Sequence, residues 1–136
     1  MTKGGVIKYC SKHKQLKQIK THLSLRALAK QSIIFTMKHE RQYFIYIMTN
    51  KHNRVLYTGV TNCLENRVLS HRRNEFPTSF TARYNCHKLV YWEEFQYIGD
   101  AILREKQIKA GSRQKKLDLI NVMNPEWKDL AEGWFV

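Results

Sequence analysis

The sequence predicts a small single α/β domain, with a three-stranded sheet that begins in a β-hairpin and is flanked by helices. Two neighbouring runs of aromatic and β-branched residues predict the hairpin, and amphipathic segments punctuated by Ser, Gly and Pro predict the helices. A length of 136 residues with 43% hydrophobic content leaves room for one modest core. Alternating strands and helices then favour a single small layered domain.

The first two strands are predicted at residues 43–48 and 55–60, where aromatic and β-branched side chains dominate. The polar stretch at residues 50–53 separates them, which is typical of a hairpin connection. This arrangement places Tyr46 and Tyr57 on adjacent strands.

A helix is predicted at residues 64–73, after a glycine that ends the second strand. Thr61-Asn62 is typical of a helix N-cap, and Gly59 would let backbone or a ligand phosphate approach closely. Arg67 and His71 are four residues apart, so they share one face of this helix. Their side chains should therefore project together.

The second half of the chain predicts one more strand and three more helices. A polar, aromatic loop at residues 74–85 precedes a strand at 88–95, which should be packed on both faces. Helices follow at residues 100–110 and 113–122, and Asn124 is the expected N-cap of a short final helix.

Glu105 lies on the apolar stripe of the helix at 100–110, together with Ala101, Ile102 and Ile108. An unpaired carboxylate in such a place is costly, so it requires a partner. Spacing leaves two interpretations open, a salt bridge or a metal ligand. The candidate partners for a salt bridge are Arg104, Lys109 and Arg67.

Several motifs now stand in one order: Phe44-Ile45-Tyr46, Tyr57-Thr58-Gly59, Arg67, Glu105 and Asn124. In this order the chain resembles the GIY-YIG nuclease family over roughly residues 41–131. It is most similar to the small stand-alone bacterial members. A more distant likeness is to the nuclease domain at the N-terminus of the nucleotide-excision-repair C subunit.

The resemblance implies an endonuclease that hydrolyses DNA phosphodiester bonds with the help of Mg²⁺ or Mn²⁺. It implies that Glu105 holds the metal, that Arg67 clamps the phosphate, and that Asn124 helps to shape the site. Tyr46 and Tyr57 would line the site, one of them orienting or deprotonating the water. His71 is an alternative base or phosphate contact, because imidazole titrates near neutrality.

The net charge of +13 predicts a polyanionic partner, for which nucleic acid is the leading candidate. Basic side chains along a groove would position DNA without reading its sequence. The candidate phosphate contacts are Arg72, Arg73, Arg83, Lys109, Arg113, Lys115 and Lys116. The alternative function is a catalytically weak nucleic-acid-binding protein on the same fold, recruited by a partner. A basic protein-interaction adaptor would leave Glu105 unexplained.

The domain organisation predicted is a nuclease domain at residues 37–136 behind a basic extension at residues 1–36. The extension is either an arm that follows DNA or a disordered or non-native segment upstream of a start at Met37. Three widely spaced cysteines match neither a disulfide framework nor a zinc site, and no apolar run approaches the roughly 20 residues of a membrane span. A soluble cytoplasmic protein is therefore expected.

Overall fold

The structure, a computed structural model, describes residues 41–135, of which residues 42–135 belong to one compact unit. Three strands and four helices occur in these residues. In chain order they are β1 Tyr43–Thr49, β2 Leu56–Thr61, α1 Leu64–Arg72, α2 Phe80–Arg83, β3 Lys88–Phe95, α3 Ile98–Ala110 and α4 Arg113–Met123. The predicted small α/β domain with a leading hairpin is confirmed.

The three strands form one antiparallel sheet in the order β2-β1-β3. β1 is the central strand, and its residues Phe44 to Thr49 are all buried, because helices cover both faces of the sheet. In the register of the sheet, Tyr46 stands opposite Gly59 on β2 and opposite Trp92 on β3. Successive side chains of β1 point to opposite faces.

One face of the sheet packs against α1 and the other against α3 and α4. Tyr46 and Met48 of β1 belong to the same buried cluster as Val68 of α1, and we call this side the α1 face. Ile45 of β1 packs with Ala101 of α3 on the opposite side, which we call the α3 face. The helices that carry Arg67 and Glu105, α1 and α3, therefore cover opposite faces of the sheet.

The helix boundaries differ from the prediction in the loop at residues 74–85. The four-residue helix α2 forms there, and the Ser79 hydroxyl caps it by accepting a hydrogen bond from the Ala82 amide. The predicted cap at Thr61-Asn62 is also displaced. Cys63 is the N-cap residue of α1, and the Thr61 hydroxyl instead closes a local turn with the Cys63 backbone.

The predicted final helix after Asn124 is wrong, because residues 125–135 form turns and irregular structure. The Asn124 amide bonds both the backbone N–H and the backbone C=O of Lys128, which closes a turn. Trp127 has a φ of 54°, a left-handed conformation that a right-handed helix cannot continue through. Asn124 is thus the C-cap of α4 rather than the N-cap of another helix.

The predictions for residues 1–36 lie outside the described residues. Of the helices in the part of the chain that the structure describes, none is long and apolar enough to cross a membrane.

Candidate active site

A chain of hydrogen bonds runs through the α1 face and joins β1, α1 and α2. The Tyr46 hydroxyl accepts a hydrogen bond from Nε of Arg67 at 3.1 Å and lies 2.9 Å from Nε2 of His71. The other ring nitrogen of His71 lies 2.9 Å from the Thr81 hydroxyl, which is 3.1 Å from the Ser79 hydroxyl. Residues distant in sequence thus form one polar network.

The direction of these hydrogen bonds follows from the chemistry of the partners. Because a guanidinium only donates, the Tyr46 hydroxyl keeps its own hydrogen for Nε2 of His71. Burial, together with the positive charge of Arg67, lowers the pKa of His71 to about 4, so the ring is neutral at neutral pH. Its single N–H is then on Nδ1 and donates to Thr81.

The Tyr46 phenol and the Arg67 guanidinium both have shifted pKa values. Tyr46 is completely buried, and this burial raises its pKa well above the ordinary value for a phenol, with a further contribution from Tyr57. Burial would lower the pKa of Arg67, but its hydrogen bond with Tyr46 and the nearby Tyr57 outweigh this effect and raise the pKa. Arg67 therefore remains charged between two phenols.

A cavity of about 270 Å³ opens beside this network. Tyr57 and Arg67 are only partly buried where they line it, whereas Tyr46 lies behind them. The Tyr57 ring lies edge-on to the His71 ring, with centroids 5.4 Å apart. The full lining is Tyr57, Arg67, Ser70, His71, Asn74, Phe76, Ser79, Phe80 and Thr81.

A glycine is needed at position 59 because the Tyr46 side chain lies against it. The sequence alone suggests that backbone or a ligand phosphate would approach there instead. A Cβ added at Gly59 would lie 2.6 Å from the Tyr46 hydroxyl oxygen and 2.7 Å from the ring carbon that bears it. Such distances are shorter than any van der Waals contact, so the phenol would have to move. Gly59 therefore makes room for the Tyr46 hydroxyl to reach Arg67 and His71.

We expect Gly59→Ala to displace the Tyr46 hydroxyl and to break its hydrogen bonds. The cost should be about 1–3 kcal/mol in the free energy of unfolding, because a clash is added and buried polar groups lose partners. Urea denaturation monitored by circular dichroism measures it. Thr58→Ala, at a buried neighbouring strand position, serves as the control for the general effect of substitution in β2. A Gly59→Ala protein as stable as the wild type would contradict this explanation.

Glu105 lies on α3, the helix that covers the opposite face of the sheet. Its side chain is 14% exposed and forms an ion pair with Lys109 at 2.5 Å, which is one of the three salt bridges considered from the sequence. The predicted apolar stripe is narrower than expected, since Ile102 is exposed while Ala101 and Ile108 are buried. Among residues 41–135, no hydrogen bond or ion pair joins Glu105 to the Tyr46 network.

The residues described can hold a metal ion only through few protein ligands. No group of three or more His, Cys, Asp and Glu side chains suited to a metal occurs within residues 41–135. Mg²⁺ often uses one or two carboxylates and keeps several waters. A partly exposed single carboxylate at Glu105 fits that mode of binding.

The family model described as the GIY-YIG catalytic domain matches residues 42–118, more than half of the chain. The chain belongs to the GIY-YIG family. The match includes both tyrosines, Arg67, His71 and Glu105, and it ends before Asn124. Membership indicates nuclease-type activity, which in this family generally depends on a divalent metal ion.

Curated relatives of this GIY-YIG protein are small bacterial proteins called UPF0213. The chain is 38% identical to one from Staphylococcus saprophyticus over 80 residues, which is 59% of this chain and 95% of the relative. It is 35% identical to one from Syntrophus aciditrophicus over 83 residues, 61% of this chain and 93% of that protein. No solved structure matches the chain.

Asn124 lies apart from the tyrosine network of this GIY-YIG protein. It is buried, and its side-chain amide donates to the carbonyl of Val90 on β3 at 3.3 Å and to that of Lys128 at 2.7 Å. These bonds fasten the end of α4 to the sheet.

The candidate phosphate contacts fall into three groups. Arg72 donates to Asp129 at 2.6 Å and to the His87 carbonyl at 3.2 Å, so it serves the fold. Arg73 and Arg83 are exposed at the C-terminal ends of α1 and α2. The remaining candidates belong to α3 and α4, the helices of the α3 face: Lys109, Arg113, Lys115 and Lys116.

Sequence reasoning missed Ser79, Phe80 and Thr81, which line the cavity of this GIY-YIG protein. Ser79 is of a residue type favoured at helix N-caps, and this is a local signal for the start of α2. No local signal places Thr81 against His71, because that contact depends on how the loop returns across α1.

Proposed function

We propose that this chain is a divalent-metal-dependent endonuclease that hydrolyses DNA phosphodiester bonds in the cavity beside Tyr57 and Arg67. The observation that carries the proposal is a fixed arginine next to a partly exposed phenol in one cavity. Hydrolysis needs a positioned water and positive charge on the phosphate oxygens as they become more negative. The cavity offers a group for each task.

Arg67 is proposed as the clamp on the reacting phosphate. Its Nε is occupied by the Tyr46 hydroxyl, so the donors of its terminal nitrogens are the ones available to a phosphate. Tyr46 in turn is held by His71, which is held by Thr81. The guanidinium is thus oriented before the substrate arrives, and this preorganisation favours the transition state.

Tyr57 is proposed as the group that touches and orients the attacking water. Tyr46 is fully buried and is therefore a positioning residue for Arg67. Both ring nitrogens of His71 are engaged, and its low pKa keeps the ring uncharged, so His71 is neither a direct base nor a cationic phosphate contact in this arrangement. Of the three candidate bases, Tyr57 is the one best placed.

Glu105 is the residue that would hold Mg²⁺ or Mn²⁺, with water in the remaining positions. Glu105 does not line the cavity itself, so a cation held there would supply positive charge to a substrate phosphate that reaches α3. Lys109, which is more than half exposed, would release the carboxylate when the cation binds. Because the lysine of this ion pair is open to water, the pair is weak and this exchange costs little.

A second candidate function is a nucleic-acid-binding protein with weak catalysis. The ion pair between Glu105 and Lys109, on a helix that packs against the opposite face from Arg67, is the observation that favours it. Binding of DNA without cleavage in Mg²⁺ and in Mn²⁺ would support this second candidate over the first.

The test compares Tyr57→Phe with Tyr46→Phe on labelled DNA. Tyr57→Phe should lower the single-turnover cleavage rate by about a hundredfold with little change in stability, because it removes only a hydroxyl that faces the cavity. Tyr46→Phe should also destabilise the fold by about 1–3 kcal/mol, because it leaves buried groups of Arg67 and His71 without their partner.

The measurements are single-turnover cleavage in Mg²⁺ and urea denaturation of both variants. A Tyr57→Phe protein that cleaves like the wild type would remove Tyr57 from the water site. A Tyr46→Phe protein of unchanged stability would contradict the positioning role.

A further inference from the structure

A continuous series of three aromatic side chains extends outward from the proposed active site. The Tyr57 ring is stacked against the Phe80 ring at 26° with centroids 6.2 Å apart, and the Phe80 ring is 4.6 Å from that of Tyr84. Phe80 is 47% exposed and Tyr84 is 43% exposed, and neighbouring Phe76 is 59% exposed. We call Phe76, Phe80 and Tyr84 the aromatic strip.

The core does not need the aromatic strip. Neither buried cluster of the described residues includes these three side chains, so the strip is not an extension of the core. Exposing several large rings in one place is unfavourable unless a ligand covers them. Phe76 and Phe80 line the cavity of the proposed active site. A ligand that covers the aromatic strip would therefore also contact this cavity.

The strip connects the cavity to a second, basic cavity. Tyr84 lines this cavity of about 580 Å³, whose other lining residues are Asn50, Lys51, His52, Arg72, Asn85, His87, Lys88 and Asp129. Its one carboxylate, Asp129, is neutralised by Arg72. Lys51 and Lys88 therefore leave it with excess positive charge, which complements a phosphate backbone.

Exposed aromatic rings beside positive charge suit unpaired nucleobases. In a duplex, the faces of each base are covered by its neighbours, whereas a single strand can stack its bases on protein rings while its phosphates follow basic residues. A duplex offers the strip only its sugar-phosphate edge, which has no flat apolar surface. The combination of rings and cations therefore favours single-stranded over double-stranded substrate.

We propose that the aromatic strip is a stacking platform for unpaired bases, and that the substrate of this site is single-stranded DNA or the single-stranded part of a larger DNA structure. The bases next to the cleaved phosphate stack on Phe80 and Tyr84, and the backbone continues into the basic cavity. This inference rests on the proposed function for its catalytic meaning. Its binding part can be measured without cleavage.

The experiment measures affinity by fluorescence anisotropy in Ca²⁺, with the full chain and three labelled probes. The probes are a 12-nucleotide single strand, the same sequence as a duplex, and a strand of equal length in which the central bases are abasic. Phe80→Leu keeps an apolar side chain but removes the ring face. We expect it to lower affinity for the single strand about tenfold and to leave duplex binding unchanged.

The controls separate stacking from general damage. Tyr97→Leu, at an exposed aromatic residue that is the N-cap of α3, should leave all affinities unchanged. The wild type should bind the abasic probe about as weakly as Phe80→Leu binds the intact strand. The base is missing in the first case and the aromatic ring in the second, so no stacking occurs at Phe80 in either. Tyr84→Leu provides an independent variant, with circular dichroism as the check of folding for each protein.

Equal single-strand affinity for the wild type and for both strip variants would overturn the proposal. Equal losses of affinity for the single strand and for the duplex would also overturn it, since the strip would then contribute to binding without stacking on unpaired bases. A wild type that binds the single strand through the strip but never cleaves it would keep this inference and reject the proposed nuclease activity. Cleavage that is equal on duplex and single strand would keep the proposed nuclease activity and reject this inference.

Discussion

Arg67→Ala should lower the single-turnover rate of DNA cleavage about a thousandfold while changing DNA affinity only a few-fold. Charge on the phosphate oxygens grows toward the transition state, so a clamp binds that state more strongly than the ground state. Arg67→Lys should restore only part of the rate, because an ammonium lacks the planar fork and cannot hold the Tyr46 hydroxyl in the same geometry.

The matched control for Arg67 is Arg73→Ala, which removes an exposed arginine just beyond α1. It should weaken binding and reduce the dependence of affinity on salt, with the rate at saturating enzyme unchanged. Binding in Ca²⁺ and single-turnover rates in Mg²⁺ separate the two effects. If Arg67→Ala lost affinity but kept the saturated rate, Arg67 would be a binding residue and the clamp would be rejected.

Glu105→Gln should reduce cleavage by orders of magnitude while the protein stays folded. The substitution keeps the shape of the side chain but removes the charge that would hold a cation. The loss of the Lys109 ion pair should cost at most about 1 kcal/mol of stability, because Lys109 is largely exposed to water. Cleavage measured over a series of Mg²⁺ and Mn²⁺ concentrations, with a urea denaturation curve for each protein, tests both statements.

Lys109→Met is the informative control, because it breaks the same ion pair and leaves the carboxylate in place. If Glu105 holds the cation, this variant should reach half of its maximal rate at a lower Mg²⁺ concentration than the wild type. Equal loss of cleavage in Glu105→Gln and Lys109→Met would mean that the ion pair is structural, and the metal assignment would be wrong.

The sequence by itself determined the sheet, most of its helices and the family. Tyr46 and Tyr57 fall on adjacent strands as predicted, because aromatic and β-branched runs on either side of a polar turn specify a hairpin locally. Arg67 and His71 share one face of α1 because helical spacing requires it. These predictions depend on residues near each other in the chain, so no other part of the molecule was needed.

The end of the chain shows where local signals failed. Asn124-Pro125 is a good start for a helix, yet the Asn124 amide bonds to Lys128 and to the Val90 carbonyl of β3 instead. Trp127 then adopts a left-handed conformation. A partner on a distant strand outcompeted a propensity that is worth only about 1 kcal/mol.

Only the tertiary structure decided where each polar side chain lies relative to the cavity. It buried Tyr46 behind Arg67, left Tyr57 facing the cavity, and brought Thr81 to His71 from a loop that the sequence left unassigned. It also assigned Gly59 to making room for a phenol rather than a phosphate. The reason is physical: the pKa and the reach of a side chain depend on burial and on partners distant in sequence, whereas periodicity reports only neighbours along the chain.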